Sequence, residues 1–427
     1  MLSSLLTELQ NIVTPTQQPP KKKAHPKPIK TTYESVPIEL PPGFLATEPG
    51  VTPVPSLTEI DWEKTELPEN KGLYAVVLDG VLSREECDSL KKLAEGSVPH
   101  SKWVDIDPDA AAAEEESSSK GGGVEGETPN EQQQSKETET EEKKKKTPWG
   151  PALVNVGMGY EVLTPSYRNS SRIIWDQQEV VDRLWARCCL VPGLKERLAV
   201  LDSKTERDAK IITGRSLADG NGEQLKEVER YANGKKKGKS KQRKDNAKGR
   251  EKGRTGKWEF VKVNKRMRFL KYGEGQFFRA HCDSPYRELD PTNSDRINET
   301  LFTIHLYLND CKSEAPPDRK DETELVGGAT ALLSADEKRK YDVECKTGRV
   351  LIFQHRRVFH AGADVVRGVK YSVRTDIMYR EVLEEEKEDE VEGKEEGKKE
   401  DEVKGNEKAE KKADSDDKPL KEAGGGN

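Results

Sequence analysis

Gly275-Gln276-Phe277-Phe278-Arg279-Ala280-His281-Cys282-Asp283 sets an imidazole and a carboxylate two residues apart, just after an apolar pair. A strand points alternate side chains to one face, so His281 and Asp283 lean toward the same point in space. Much later, Val350-Leu351-Ile352-Phe353-Gln354 leads through His355 to His360-Ala361-Gly362, and His360 is positioned to close the set from a distant strand. Two histidines and one carboxylate, with the other coordination positions open, are the donor set of non-haem Fe(II) oxygenases. A closed zinc site would need more Cys or His than this stretch supplies.

The remaining histidines are read differently. Arg356 and Arg357 beside His355 predict a solvent-facing turn, and the residues after His355 lack the spacing that follows His360. His305 shares a strand face with Thr303 and Tyr307 and is expected to be a satisfied core histidine. His25 and His100 fall outside the core pattern.

Working outward, the chain has 427 residues, of which 32% are hydrophobic and 36% charged. Such a composition cannot bury apolar surface along its whole length, so one globular domain with long hydrophilic inserts and tails is expected. The net charge of -6 is a small difference between 73 basic and 79 acidic residues and points to no class of partner. Six irregularly spaced cysteines, with no secretory pattern at Met1–Glu8, lead to an expectation of reduced thiols in a cytoplasmic or nuclear protein. No apolar run approaches the roughly 20 residues of a membrane span.

Residues 1–68 are rich in Pro, Thr and Lys and are expected to be a disordered leader. A single domain is expected over 69–381, and 382–427 reads as a disordered Glu/Lys tail. Within the domain, low-complexity inserts are expected at about 106–147 and 203–257. The second has a basic part at 232–257, with twelve Lys or Arg against Asp245 and Glu251.

The domain opens with a strand at Gly72–Asp79, then a helix capped by Ser83 with Glu86 three residues on. A second helical pattern carries Val180-Val181, Leu184-Trp185 and Cys188. Strand-period alternation runs from Phe260 to Tyr272, and further strands are expected at Thr300–Leu308, Gly327–Leu333, Arg349–Phe353 and Tyr371–Tyr379. These elements predict an α+β chain with a mostly β core, a double-stranded β-helix (jelly-roll) preceded by helices.

With these motifs in order, the sequence resembles the prolyl 4-hydroxylase-like 2-oxoglutarate/Fe(II)-dependent dioxygenases. Arg268–Asp283 is similar to that family's first metal motif. Leu306-Tyr307-Leu308-Asn309-Asp310 with Gly327-Gly328-Ala329-Thr330 is similar to its middle strands. His360-Ala361-Gly362 through Gly368-Val369-Lys370 is similar to its distal histidine with a basic residue ten positions later.

The resemblance implies Fe(II) on His281, Asp283 and His360, and 2-oxoglutarate on Lys370 with Tyr307 and Tyr272. Ser372 and Arg374 share the face of Lys370. A Lys-x-Ser unit is similar to the Arg-x-Ser pair of related oxygenases, and Arg374 is left open between cosubstrate and substrate. Arg172, Trp103 and Arg279 are further candidates for facing substrate. The implied reaction uses O₂, releases succinate and CO₂, and hydroxylates a C–H bond; ascorbate dependence is implied by the family alone.

A prolyl or other residue of a protein is the expected substrate, with a small molecule as another option. Tyr371 stands where collagen-type enzymes have Trp, and no peptide-binding repeats are visible, which argues against collagen. The basic insert offers contact with nucleic acid, although no aromatics interleave its lysines. The alternative reading is a catalytically silent β-domain that presents charged arms to protein or RNA partners.

Overall fold

The computed structural model describes residues 27–48, 50, 52–105, 145–157, 159–217, 256–294, 296–320 and 324–382. Two facing sheets carry the site. The larger has eleven strands, and its main path runs Ser56–Glu59, Ala75–Asp79, Val350–Gln354, Ile297–Tyr307, Lys370–Val382, Arg266–Tyr272, Ser171–Asp176 and Gly150–Pro151. The smaller has five, in the order Lys340–Val343, Thr330–Leu333, His360–Gly362, Phe277–His281 and Arg168–Asn169. Sequence neighbours alternate between the sheets, as in a double-stranded β-helix with a mostly β core, and all the pairings are antiparallel.

The large sheet is apolar on its outer face because helices cover it. Ile173, Trp175, Phe269, Ile304, Leu306, Ile352 and Val373 form one core cluster with Leu90 and Ala94 of the helix Arg84–Gly96 and Val181 and Leu184 of the helix Gln178–Cys188. The first helix starts where its sequence says it should. Ser83 accepts from the Glu86 amide, and the Glu86 carboxylate accepts from the Ser83 amide. Helices thus precede the β core as expected, and no helix among the described residues is long and apolar enough to cross a membrane.

Three boundaries differ from the sequence expectation. The leader predicted over 1–68 is folded from 27 onward: Leu45, Trp62 and Leu67 are buried, the Trp62 indole donates to the Leu73 carbonyl, and Ser56–Glu59 is paired with Ala75–Asp79. Its apolar residues are irregularly spaced between prolines, so they leave no periodic trace.

The insert predicted from 203 begins later, because Glu206–Thr213 is a helix with Thr205 capping the Asp208 amide and Ile211 and Ile212 buried. The alternation expected to continue from Phe260 to Tyr272 is two strands, Lys257–Val263 and Arg266–Tyr272. Asn264 breaks them, its side chain accepting from the Arg266 amide in an Asx-type turn. The disorder expected for 1–26, most of 106–147, the basic part of the second insert and nearly all of 382–427 falls outside the described residues.

Candidate metal centre

His281, Asp283 and His360 come together. Each offers one ligand atom, and these atoms all lie within 4.8 Å of one another. His281 ends the strand Phe277–His281 and pairs across the small sheet with His360, which begins the strand His360–Gly362. Asp283 follows two residues later and is turned inward, with His281 Nε2 3.7 Å from its Oδ1 and His360 Nε2 3.8 Å from its Oδ2.

The outer contacts aim these groups. His281 Nδ1 is 2.9 Å from the Arg279 carbonyl oxygen, and His360 Nδ1 is 3.1 Å from that of Val358. With Nδ1–H donating to a carbonyl, each Nε2 presents its lone pair to the shared centre. Phe278 stacks on the His281 ring at 3.8 Å, and Phe353 meets His360 edge-on at 4.8 Å.

Burial holds His281 down to about 3, aided by the charge of His360, and burial also lowers His360. Both rings are therefore neutral at ordinary pH, the form that binds metal. Burial alone would raise the Asp283 carboxyl, but Arg374, His360 and His281 together keep it below the usual carboxylate range. An anionic carboxylate and two neutral imidazoles suit a divalent ion of intermediate softness.

Beside this centre lies a second group of polar side chains, carried on the inner face of the large sheet. Lys370 pairs with Tyr272, and Ser372 pairs with both Tyr307 and Leu270. Lys370 is 2% exposed, and its Nζ donates to the Gly328 carbonyl at 2.6 Å. It lies 5.4 Å from the centre of the Tyr272 ring and 5.5 Å from that of Tyr307. The Tyr307 hydroxyl donates to Thr330 Oγ1 at 2.7 Å, and burial raises its pKa.

Among the described residues no carboxylate lies within ion-pair reach of Lys370, and the buried Ser372 Oγ and His305 Nε2 have no hydrogen-bond partner. A buried ammonium and orphaned polar atoms are costly unless a ligand satisfies them. A dicarboxylate would do so, with one end on Lys370 and the other toward the three candidate ligands. His305, expected to be satisfied in the core, instead has an unpartnered ring nitrogen, and burial keeps its ring neutral.

Other sequence candidates have structural partners. Arg374, left open between cosubstrate and substrate, bridges Asp283 Oδ1 at 2.8 Å and Asp376 Oδ1 at 3.0 Å. Arg172 is a buried partner of Glu161 at 2.9 Å and also contacts Tyr33, so it ties the N-terminal segment to the sheet. Trp103 stacks on His100, and Arg279 pairs with Asp364 at 2.8 Å while lying over the Phe277 ring.

His355 is not in the solvent-facing turn its arginine neighbours suggested. It is 1% exposed, its amide donates to the Leu301 carbonyl, and its Nε2 is 3.4 Å from Asp376 Oδ1. Asp376 itself was missed, although it continues the alternation of Lys370, Ser372 and Arg374. Thr303, noted only as sharing a face with Tyr307, donates its hydroxyl to Asp283 Oδ2 at 2.5 Å.

Residues 267–375 match the family model described as the 2OG-Fe(II) oxygenase superfamily. That stretch belongs to the superfamily. It contains all three candidate metal ligands together with Lys370, Tyr272 and Tyr307, and the family uses Fe(II), 2-oxoglutarate and O₂. That segment is similar to the oxygenase superfamily.

No curated protein matches. Similar solved structures include the viral collagen prolyl hydroxylase of Paramecium bursaria Chlorella virus-1 in complex with 2OG, 15% identical, covering 73% of this chain and 98% of that chain at a TM-score of 0.30. A Pseudomonas putida prolyl-4-hydroxylase is 15% identical over 54% of this chain and 77% of that one, at 0.26. A Trichoplax adhaerens prolyl hydroxylase in complex with a hypoxia inducible factor peptide fragment is 12% identical over 54% and 70%, at 0.28.

Proposed function

We propose that this oxygenase hydroxylates a C–H bond on a residue of a protein, with proline the foremost candidate, and couples that step to conversion of 2-oxoglutarate into succinate and CO₂. The observation that carries the reading is the pairing of a three-ligand cluster with a buried lysine that has no carboxylate partner among the described residues. His281, Asp283 and His360 would hold Fe(II), which supplies the O₂ chemistry when bound. Lys370 would take the far carboxylate of 2-oxoglutarate, with Tyr272, Tyr307, Ser372 and His305 as its neighbours on the same sheet face.

The chain's own part is to bind, orient and exclude water. Phe278 and Phe353 hold the two imidazoles in position, and Thr303 fixes one oxygen of the carboxylate. A macromolecular substrate is favoured by an exposed apolar hairpin that follows Asp283 in the chain. Tyr286, Leu289 and Ile297 stand 44%, 64% and 49% exposed on the hairpin made by Arg287–Leu289 and the start of Ile297–Tyr307. Large exposed apolar side chains grouped on one hairpin suit a protein or peptide better than a small polar molecule.

Two experiments test the reading at its two levels. Purified protein with Fe(II), ascorbate and 2-oxoglutarate should form succinate, and His281→Ala and Asp283→Ala should abolish it; equal turnover in all three would refute the oxygenase site. Mass spectrometry of cellular proteins should find prolyl +16 shifts (one added oxygen) that vanish when the protein is deleted. If only small metabolites change, the protein-substrate reading fails.

A further inference from the structure

Behind the candidate ligands the strand Lys370–Val382 carries a line of buried charge. Arg374 places one guanidinium nitrogen 2.8 Å from Asp283 Oδ1 and another 3.0 Å from Asp376 Oδ1. Asp376 also pairs with Arg268 at 2.9 Å, and His355 lies 3.4 Å from it. Both aspartates have side chains only 2% exposed. The other oxygen of Asp283 accepts the Thr303 hydroxyl. The carboxylate that would carry the metal is thus ion-paired within the fold itself.

A cation fixed on a metal-binding carboxylate has two opposite effects. It keeps the buried carboxylate ionised and aimed, which helps a metal. It also stands beside any cation that Asp283 would hold, where repulsion between charges is strong in a buried site. Thr303 decides which effect dominates, because it still holds Asp283 from the other side when the arginine is removed. Asp376 likewise keeps Arg268. Loss of the guanidinium then removes repulsion while most of the aim survives.

We propose that Arg374 is a positioning residue that makes metal binding and cosubstrate binding interdependent: it weakens the site for a divalent cation alone and leaves a doubly negative keto-diacid to restore the balance. Metal, Arg374 and Lys370 together outweigh Asp283, and the two carboxylates of the cosubstrate offset most of that excess. Arg374 so assigned serves Asp283 and not the cosubstrate carboxylate directly. The inference rests on the metal site proposed above.

The test is titration of Mn²⁺ into the full chain by calorimetry, with and without 2-oxoglutarate, so no turnover is involved. Arg374→Met should bind Mn²⁺ alone roughly tenfold or more tighter than wild type, with Arg374→Lys staying near wild type. Addition of 2-oxoglutarate should tighten Mn²⁺ binding more in wild type than in Arg374→Met. A merely structural role would lower the melting temperature without changing that ratio.

If Arg374→Met fails to fold, Arg374→Gln replaces it in the same comparison with Arg374→Lys. Wild type that binds Mn²⁺ while the neutral variant binds no more tightly overturns this inference alone. Wild type that does not bind Mn²⁺ sinks the metal site as well.

Discussion

Lys370 Nζ and the Gly328 carbonyl oxygen are 2.6 Å apart, and this contact fixes a buried ammonium on the inner face of the large sheet. One carbonyl does not compensate a charge that is 2% exposed, which is why the proposed function gives the lysine an anion to meet. Lys370→Met keeps the shape and removes the charge. The Michaelis constant for 2-oxoglutarate should rise by roughly 10- to 150-fold, the equivalent of a charge-assisted hydrogen bond worth about 1.5–3 kcal/mol. The ligand-free protein should melt no lower than wild type, because a costly buried charge is gone. An unchanged constant would remove Lys370 from the cosubstrate site.

Gly328 is required for a related reason. Its φ is +75°, and an added Cβ would lie 3.1 Å from Val365 Cγ2 and 3.3 Å from Lys370 Cδ. Gly328→Ala should therefore destabilise the fold by about 1–2 kcal/mol through the left-handed backbone. It should also push Lys370 aside and weaken 2-oxoglutarate binding. Thermal melting and cosubstrate titration on one sample separate the two effects. A variant that melts lower but binds normally would show that Lys370 tolerates the intrusion.

Thr303 and Asp283 make the contact on which the metal ligand's orientation depends. Thr303→Val is nearly isosteric and deletes only the hydroxyl. Loss of such an outer contact typically costs about 10- to 100-fold in metal affinity. Mn²⁺ titration should show a decrease in that range, while a wild-type value would mean that Arg374 alone suffices to orient the carboxylate.

The buried histidines set a pH dependence for the metal-free fold. His281 is held down to about 3, and burial also lowers His360 and His305. An unfolded histidine titrates near about 6.5, so below that pH the unfolded chain binds more protons than the folded one. Stability then rises with pH across this interval and is lost as pH falls from about 6.5. With chelator present, the melting temperature should drop between pH 7 and pH 5, and His305→Gln should make the drop shallower. A flat profile in the wild type would contradict the burial of neutral rings.

What could be read in the sequence was what repeats or sits at fixed spacing. His281 and Asp283 two apart, and Lys370 ten after His360, are local patterns, and the first pair meets His360 in the fold. The stripe of Lys370, Ser372 and Arg374 follows from alternation alone, and extending it by one step would have found Asp376. Partners fixed only by tertiary packing had no such signal. Arg374 finds Asp283 because the two sheets face each other, and Arg172 finds Tyr33 because the N-terminal segment folds back over it. His355 was misread because two arginines follow it, although its own ring turns under Asp376. Trp62 and Leu67 were lost among prolines because burial there comes from packing and not from a period. The described residues give no support to a catalytically silent scaffold.

The central claim is that His281, Asp283 and His360 share one cation next to a cosubstrate held by Lys370. Crystals grown with Mn²⁺ and 2-oxoglutarate, measured for anomalous scattering at the manganese edge, test this most directly. A single strong peak should lie within about 2.0–2.3 Å of His281 Nε2, an Asp283 carboxylate oxygen and His360 Nε2, with the distal carboxylate of the cosubstrate on Lys370 Nζ. A peak bound elsewhere, or no peak among these three side chains, would contradict it.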